Sequence, residues 1–344
     1  MMRAFVITGP RRTDVIDVPV PTPGPDQVVI DVERAGVCGT DAEIYAGDMV
    51  YLQSGETTYP VRIGHEFCGV VSEVGDGVDR TWLDQRVMAD VMVGCGACER
   101  CRSGRHHVCA RRHEIGVRDG WPGALAEQMS LPVKGLHRVP EPLDPTVGAF
   151  VEPSGNAYRA VASADVDAGE RLLNRGPGTI GLLAGLIAKA KGVEVHVLGV
   201  TDASVEFARS IGFEDTWTAA TLPTLQWDAV IDATNDASMP ATALDLVEVG
   251  RRVVYIGLAG QPSRVDTRTI ALKDVTVVGV LGASAGLAPV IELFASGAVD
   301  PRPLLAATVG LDDVPFVLAG GRRDDWGPGP KVHVDPRTSS AAGG

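Results

Sequence analysis

The chain has 344 residues, with 31 Lys+Arg against 44 Asp+Glu and a formal net charge of −13. At roughly 150 residues per domain this length suggests two domains, and it can bury a core without disulfide staples; the acidity excludes general nucleic-acid binding, because phosphates are repelled before contact. A hydrophobic content of 45% with 22% charged residues belongs to a folded globular protein, not a disordered one.

The start, MMRAFVITGPRR, carries neither the apolar core nor the small-residue cleavage site of a secretory signal. The longest uncharged stretch, Val275 to Ile291, contains Thr276, Ser284, Pro289 and several glycines, which suits a buried strand followed by a helix better than a membrane span. A cytoplasmic protein with no membrane partner is expected. The first half reads as β structure of a barrel or sandwich: VVIDVERAG, EFCGVVSEVG and QRVMADVMVG are β-branched runs separated by Gly, Pro and Asp. Within this half, GVCGTD places Cys38 in a glycine-flanked turn with Thr40 and Asp41 beside it, and IGHE supplies His65 and Glu66. FVEP adds Glu152. A thiolate, an imidazole and a carboxylate, with room for water or substrate, make a catalytic zinc set. Singly, each of these residues is as readily an ordinary polar side chain; the combination carries the assignment.

Four of the six cysteines, Cys95, Cys98, Cys101 and Cys109, follow the spacing C-x2-C-x2-C-x7-C. Such clustering in a chain without a secretion signal favours metal ligation over disulfides. Four thiolates leave no open position, so the zinc they would hold is structural. The rival is an iron–sulfur cluster, but bacterial ferredoxins place the fourth cysteine after three residues and before Pro, whereas Cys109 comes after seven and precedes Ala110. Cys68, in an apolar run, reads as core.

Near residue 155 the texture changes. NAYRAVASADV reads as helix, and ERLLNRG, TIGLLAGLIAKAKG, VEVHVLGV, ASVEFARSIGF, WDAVIDAT, ATALDLVEVG, RRVVYIGL and VTVVGVLGA then alternate strand-like and helical stretches. This alternation means a parallel sheet with helices on both faces. GPGTIG puts Gly176, Gly178 and Gly181, with Thr179 and Ile180 between them, at the turn from the first strand into its helix. The first glycine permits the tight turn, the second a close pyrophosphate, the third close helix–strand packing, and the helix N-terminus faces the anion. Asp202 is the nearest acid beyond the second strand. After about residue 290 the pattern loosens, KVHV reads as a strand returning to the first domain, and the tail TSSAAGG is expected to be disordered. The expected division is 1–155, 156–290, a return segment 291–337 and a tail 338–344.

Together GVCGTD, GHE, the four-cysteine lobe, the Glu-Pro pair and GPGTIG, in that order from Arg3 to about Pro336, resemble the zinc-containing medium-chain alcohol and polyol dehydrogenases. The resemblance implies an α/β plus β architecture: a GroES-like catalytic domain, interrupted by a Rossmann domain with a doubly wound parallel sheet and completed by the C-terminal segment. It also implies two zinc ions per chain, NAD(P), a small hydroxyl-bearing substrate and a homodimer or homotetramer. By position, Cys38 and His65 are catalytic zinc ligands, Glu66 is a ligand or near-ligand that exchanges with water, and Glu152 matches a glutamate placed at the metal. Thr40 matches the hydroxyl that takes the substrate proton, with Asp41 bracing a ligand and Glu43 standing where many members have histidine on the proton path.

Counted from Gly176, the ribose-binding acid of the family falls on Gly199, which leans toward NADP, with Thr201 and Arg175 as phosphate contacts. CGTDAEI and HEIGV partly resemble the glucose dehydrogenase branch and make Glu114 a sugar-hydroxyl contact. Tyr45, Trp121, Ser154 and Asn156 are further polar or aromatic candidates near the site, with Asn156 a substrate contact. The favoured substrate is a sugar or polyol; Met49, Leu52 and Met92 suit the alternative, a simple secondary alcohol or an amino alcohol. A nicotinamide-binding module without turnover is the remaining reading.

Overall fold

A computed structural model of the protein describes residues 1–338; residues 339–344, which make up most of the expected tail, lie outside the described residues. The chain divides into two compact units, Met1–Glu152 joined by the chain from Leu305 onward, and Pro153–Leu304.

The first unit is organised by the strand Gln27–Gly36. Alternate residues Val28, Ile30 and Val32 are fully buried, as the period of two along a strand requires. It pairs antiparallel with Glu66–Val74, Gln128–Pro132 and Lys331–Val334. Among the described residues the sheet runs in the order Leu305–Val309, Lys331–Val334, Gln27–Gly36, Glu66–Val74, Arg86–Ala89, Leu136–Arg138, with Gln128–Pro132 also on the central strand. The KVHV strand thus returns to the first unit, bringing residues from the end of the chain beside Ala35 and Gly36. QRVMADVMVG is not one strand. It breaks into Arg86–Ala89 and Met92–Val93 because Asp90 turns its carboxylate to the Met92 N–H (3.0 Å) and the His106 ring (2.6 Å). Met92–Val93 then pairs with His113–Glu114 at the base of the cysteine lobe.

The second unit is a six-stranded sheet in the order Thr216–Trp217, Glu194–Leu198, Arg171–Arg175, Trp227–Asp232, Val247–Tyr255, Thr276–Gly279, and every pairing is parallel. Central strands in such a sheet are covered on both faces, and four of the five residues of Arg171–Arg175 are buried. Trp227, Leu173, Val230, Ala243, Leu244 and Val253 form one core cluster. ATALDLVEVG is not helical throughout: the helix Met239–Leu246 ends where β-branched Val247 opens the next strand. The unit also extends to Leu304, past the boundary expected at 290. The helix Leu287–Ala295 buries Leu287, Val290, Ile291 and Phe294, and just before it a Cβ on Gly286 would meet the Gly155 carbonyl oxygen at 2.2 Å, so this segment is packed on the second unit's own backbone.

Trp227, 1% exposed, is the largest fully buried side chain. Trp227→Ala should cost about 3–5 kcal/mol of stability, read as a lowered midpoint in chemical denaturation.

Candidate active site

The helix Gly39–Ala46 starts at Cys38, and the local sequence explains the turn. Asp41, at the third helical position, returns its carboxylate to the Cys38 backbone N–H (2.9 Å), while the Cys38 side chain faces the Asp41 backbone. This is a capping box with cysteine in the place of serine, and it fixes the thiol at the helix N-terminus. Glu66 opens the strand Glu66–Val74, which pairs with Gln27–Gly36, and His65 immediately precedes it. Ligand atoms of Cys38, His65 and Glu66 lie within 4.8 Å of one another.

The surroundings of this trio are anionic and dry. Asp41 is 0% exposed, Glu66 1% and His65 7%. His65 Nδ1 stands 3.5 Å from Asp41 Oδ1, and both atoms are buried without a hydrogen bond. Burial opposes a positive charge on His65, but Asp41 and Cys38 outweigh it and hold the imidazole pKa well above its ordinary value. Charges that would keep a proton on a buried histidine would equally hold a metal cation, and one sulfur, one nitrogen and one oxygen donor with an orienting carboxylate behind the histidine suit zinc.

A residue that the sequence did not single out completes the cluster. Lys331 is 3% exposed, and its Nζ donates to Glu66 Oε1 (2.9 Å), Glu66 Oε2 (2.6 Å) and the Val37 carbonyl (3.0 Å). Burial works against the ammonium, but Glu66, Cys38 and Asp41 outweigh it and raise its pKa above the usual lysine value. Glu152 is buried at the start of the helix Val151–Ala164 and stands outside the close group of Cys38, His65 and Glu66. Thr40 and Glu43, both half-buried, are three residues apart on the Gly39–Ala46 helix and so share a face. Burial, with Asp48 adding repulsion, raises the Glu43 pKa.

The cysteine lobe is a second ligand cluster. Sulfur separations are 3.9 Å (Cys95–Cys101), 3.5 Å (Cys98–Cys101) and 3.7 Å (Cys98–Cys109). Four zinc–sulfur bonds of about 2.3 Å in a tetrahedron place the sulfurs about 3.8 Å apart, and a disulfide would need about 2.05 Å. The N–H groups of Ala97 and Cys98 lower the Cys95 pKa to about 5, favouring the thiolate that a metal requires. The lobe is anchored by His106 on Asp90.

Glu114 does not stand free as a sugar contact. It is 5% exposed, and its Oε1 accepts from Arg112 Nε (2.7 Å) and Tyr51 Oη (3.1 Å), while Arg112 Nη2 also donates to Tyr51 Oη (3.0 Å). The neighbouring arginine two residues earlier was the available signal. Trp121 donates its indole N–H to the Ser130 carbonyl (3.0 Å). Met49 belongs to the core of the first unit, and Met92 is also buried.

In the second unit the turn after Arg171–Arg175 has the geometry of an anion loop. Gly176 has φ of +88°, and a Cβ on Gly181 would meet the Gly176 carbonyl oxygen at 2.0 Å, so both positions demand glycine. Gly178 caps the helix Thr179–Ala190, and a Cβ there would meet nothing within 4 Å: the space over the helix N-terminus is open. Thr179 and Ile180 head that helix. Gly199 follows the strand Glu194–Leu198 under a tight roof, where a Cβ would lie 2.7 Å from Ser204 Oγ and 3.0 Å from Val205. An acid there would have to displace Ser204. Thr201 spends its hydroxyl capping the helix Asp202–Ser210. Arg175 is 3% exposed and donates to the Met239 carbonyl (2.8 Å) and sulfur (2.7 Å), so its guanidinium is turned to the helix Met239–Leu246 rather than offered to a phosphate. Asn156 is half-buried on the helix Val151–Ala164.

Two predictions follow from the lobe and its anchor. Cys98→Ala should remove one of two zinc ions per chain, measured by elemental analysis, and lower the melting temperature. The Asp90 hydrogen bond raises the His106 pKa against partial burial, so the pair's contribution is full below the unfolded histidine value of about 6.5 and fades as pH rises through the higher folded value. Melting temperature measured from pH 6 upward should therefore fall less in Asp90→Asn than in the parent.

Residues 24–141 match the model for the alcohol dehydrogenase GroES-like domain, and residues 179–296 match that for zinc-binding dehydrogenases. An L-threonine 3-dehydrogenase from Deinococcus deserti is 30% identical over 315 residues, covering 87% of this chain and 89% of that protein. Two solved structures superpose over nearly the whole chain. An alcohol dehydrogenase from E. coli CFT073 complexed with NADH has a TM-score of 0.88 and 26% identity, covering 97% of this chain and 99% of that one. A zinc-binding dehydrogenase from Sinorhizobium meliloti 1021 bound to NADP also has a TM-score of 0.88, with 27% identity and coverage of 98% and 99%. With the open thiolate–imidazole–carboxylate site, the four-cysteine lobe and the glycine loop all in place, the chain belongs to the zinc-dependent medium-chain alcohol dehydrogenase family.

Proposed function

We propose that this protein interconverts a secondary hydroxyl and a carbonyl on a small polar substrate with NAD(P), using Cys38, His65 and a carboxylate, Glu66 or Glu152, to hold the catalytic zinc. The observation that carries the reading is the convergence of Cys38, His65 and Glu66 ligand atoms within 4.8 Å over a buried Asp41. Zinc bound there would supply Lewis acidity, bringing the pKa of a substrate hydroxyl toward neutrality. The chain's own residues do the rest. Asp41 fixes the Cys38 turn and faces His65 Nδ1, leaving the other ring nitrogen for the metal. Thr40 accepts the substrate proton, and Glu43, whose pKa is raised by burial, takes it on toward solvent. Gly176, Gly178, Thr179, Ile180 and Gly181 would hold the cofactor pyrophosphate on backbone N–H groups, and Gly199 and Thr201 would contact its adenosine ribose. With neither an acid at 199 nor a free guanidinium from Arg175, selectivity between NAD and NADP is expected to be modest.

The substrate reading remains a sugar or polyol. The second reading, an amino alcohol, is favoured by two observations: Glu114 is engaged by Arg112 and Tyr51, and the Deinococcus relative is named L-threonine 3-dehydrogenase. A homodimer or homotetramer is supported by the open edge strand Thr276–Gly279, where Val277, and just beyond the strand Leu281, are more than one-third exposed. No helix among the described residues is long and apolar enough to cross a membrane.

The test is nicotinamide reduction by zinc-loaded protein with NAD and NADP in parallel, against aldoses, polyols, simple secondary alcohols and threonine. Turnover of polyols or aldoses supports the first reading and turnover of threonine alone the second; no turnover on the whole panel at full metal loading contradicts both. Cys38→Ser should keep the melting temperature within a few degrees and lower kcat at least a hundredfold, about 2.7 kcal/mol at the barrier.

A further inference from the structure

Lys331 stands in an unusual relation to the metal ligands. Strand residues 331 and 333 share one face; His333 pairs with Gly36, and Gly36 pairs with Glu66 on its other side. The row from Glu66 to the Lys331–Val334 strand therefore crosses a residue with no side chain. Glu66 leans into that gap: a Cβ on Gly36 would come within 2.1 Å of Glu66 Oε2. In that position both carboxylate oxygens reach Lys331 Nζ, at 2.9 and 2.6 Å, and the ammonium is tied down by the Val37 carbonyl at 3.0 Å. The same carboxylate offers an oxygen within 4.8 Å of the Cys38 and His65 ligand atoms. Glu66 thus has two claimants for its charge, and one of them, Lys331, is built into the core.

We propose that Lys331 is a positioning residue that sets the number of protein ligands on the zinc: by holding both oxygens of Glu66 it keeps a position open for the substrate hydroxyl, and without it Glu66 becomes a permanent ligand. The physical reason is that a buried carboxylate deprived of its counter-ion is left uncompensated, and the nearest cation able to take over is the metal. Gly36 serves the same arrangement by leaving the space through which Glu66 reaches Lys331. The proposal rests on reading the Cys38–His65–Glu66 cluster as the zinc site, with Glu152 as the carboxylate ligand while Lys331 holds Glu66, and zinc content of the unmodified protein tests that reading separately: one zinc per chain instead of two would overturn the reading and the proposal together.

The experiment is the rate at which the zinc-loaded protein gives up its catalytic zinc to excess chromophoric chelator, in Lys331→Met, Lys331→Arg, Glu66→Gln and the double variant Lys331→Met/Glu66→Gln. The visible spectrum of cobalt placed in the same site serves as a second readout. Lys331→Met should lose zinc about tenfold more slowly, a difference of about 1.4 kcal/mol at the dissociation barrier, and show a changed cobalt spectrum. Lys331→Arg and the double variant should return to the parent rate. Faster zinc loss from Lys331→Met with an unchanged cobalt spectrum would mean a merely structural lysine and would overturn the proposal. Should Lys331→Met fail to fold, Glu66→Gln decides: a parent-like rate supports a carboxylate held in reserve, and a rate several-fold faster shows that Glu66 is already a ligand beside Lys331.

Discussion

Anionic side chains buried together at the end of the first unit's core are the constraint on which the rest depends. Asp41 and Glu66 are at most 1% exposed, with Cys38 beside them. Water cannot screen such charges, and a protein keeps buried charge only when it is paired or metal-bound. Lys331 meets part of the need through its bonds to Glu66. On the Cys38 side Asp41 Oδ1 is buried without a hydrogen bond, 3.5 Å from His65 Nδ1, and a cation bound there would compensate it. The fold supplies this arrangement from distant pieces of chain: a capped helix start at Cys38, the entry to one strand at His65 and Glu66, and a C-terminal strand that delivers Lys331.

The two cysteine-containing sites are built on opposite principles. The open site sits on long strands and a core of Val28, Ile30, Phe67 and Val71, so its ligands are held by packing whether or not metal is bound. The lobe has only the short helix Glu99–Arg102 and a single 3-10 turn, His106–Val108, between its ligands. So little secondary structure cannot order a loop by itself, and the metal carries much of its folding free energy. The second unit asks for neither metal. Its function lies in backbone geometry at Gly176, held at a φ of +88°, and at Gly181, where the space excludes even a methyl group.

What could be read in the sequence is what depends on local spacing. The cysteine spacing, the glycine loop and the Cys38–Asp41 turn are short-range devices, and the structure forms each where the residues stand. The alternation of strand and helix after residue 155 likewise reads directly, because a parallel sheet imposes it. The remainder depends on contacts that spacing does not encode. Lys331 is 265 residues from Glu66 and looks like any strand residue in KVHV. Asp90 breaks a β-branched run only because His106 and the Met92 N–H reach its carboxylate. Glu114 and Arg175 both look available, and both are engaged by neighbours, Arg112 and Met239, that a motif comparison passes over.

The most direct test of the two-zinc account is X-ray absorption at the zinc edge on the purified, substrate-free protein, combined with metal content. Two zinc ions per chain sharing five sulfur ligands, with nitrogen and oxygen completing the shells, is the predicted result. A single zinc per chain surrounded by four sulfurs would contradict it, leaving the lobe metallated and the Cys38 site without the ion on which the proposed chemistry depends.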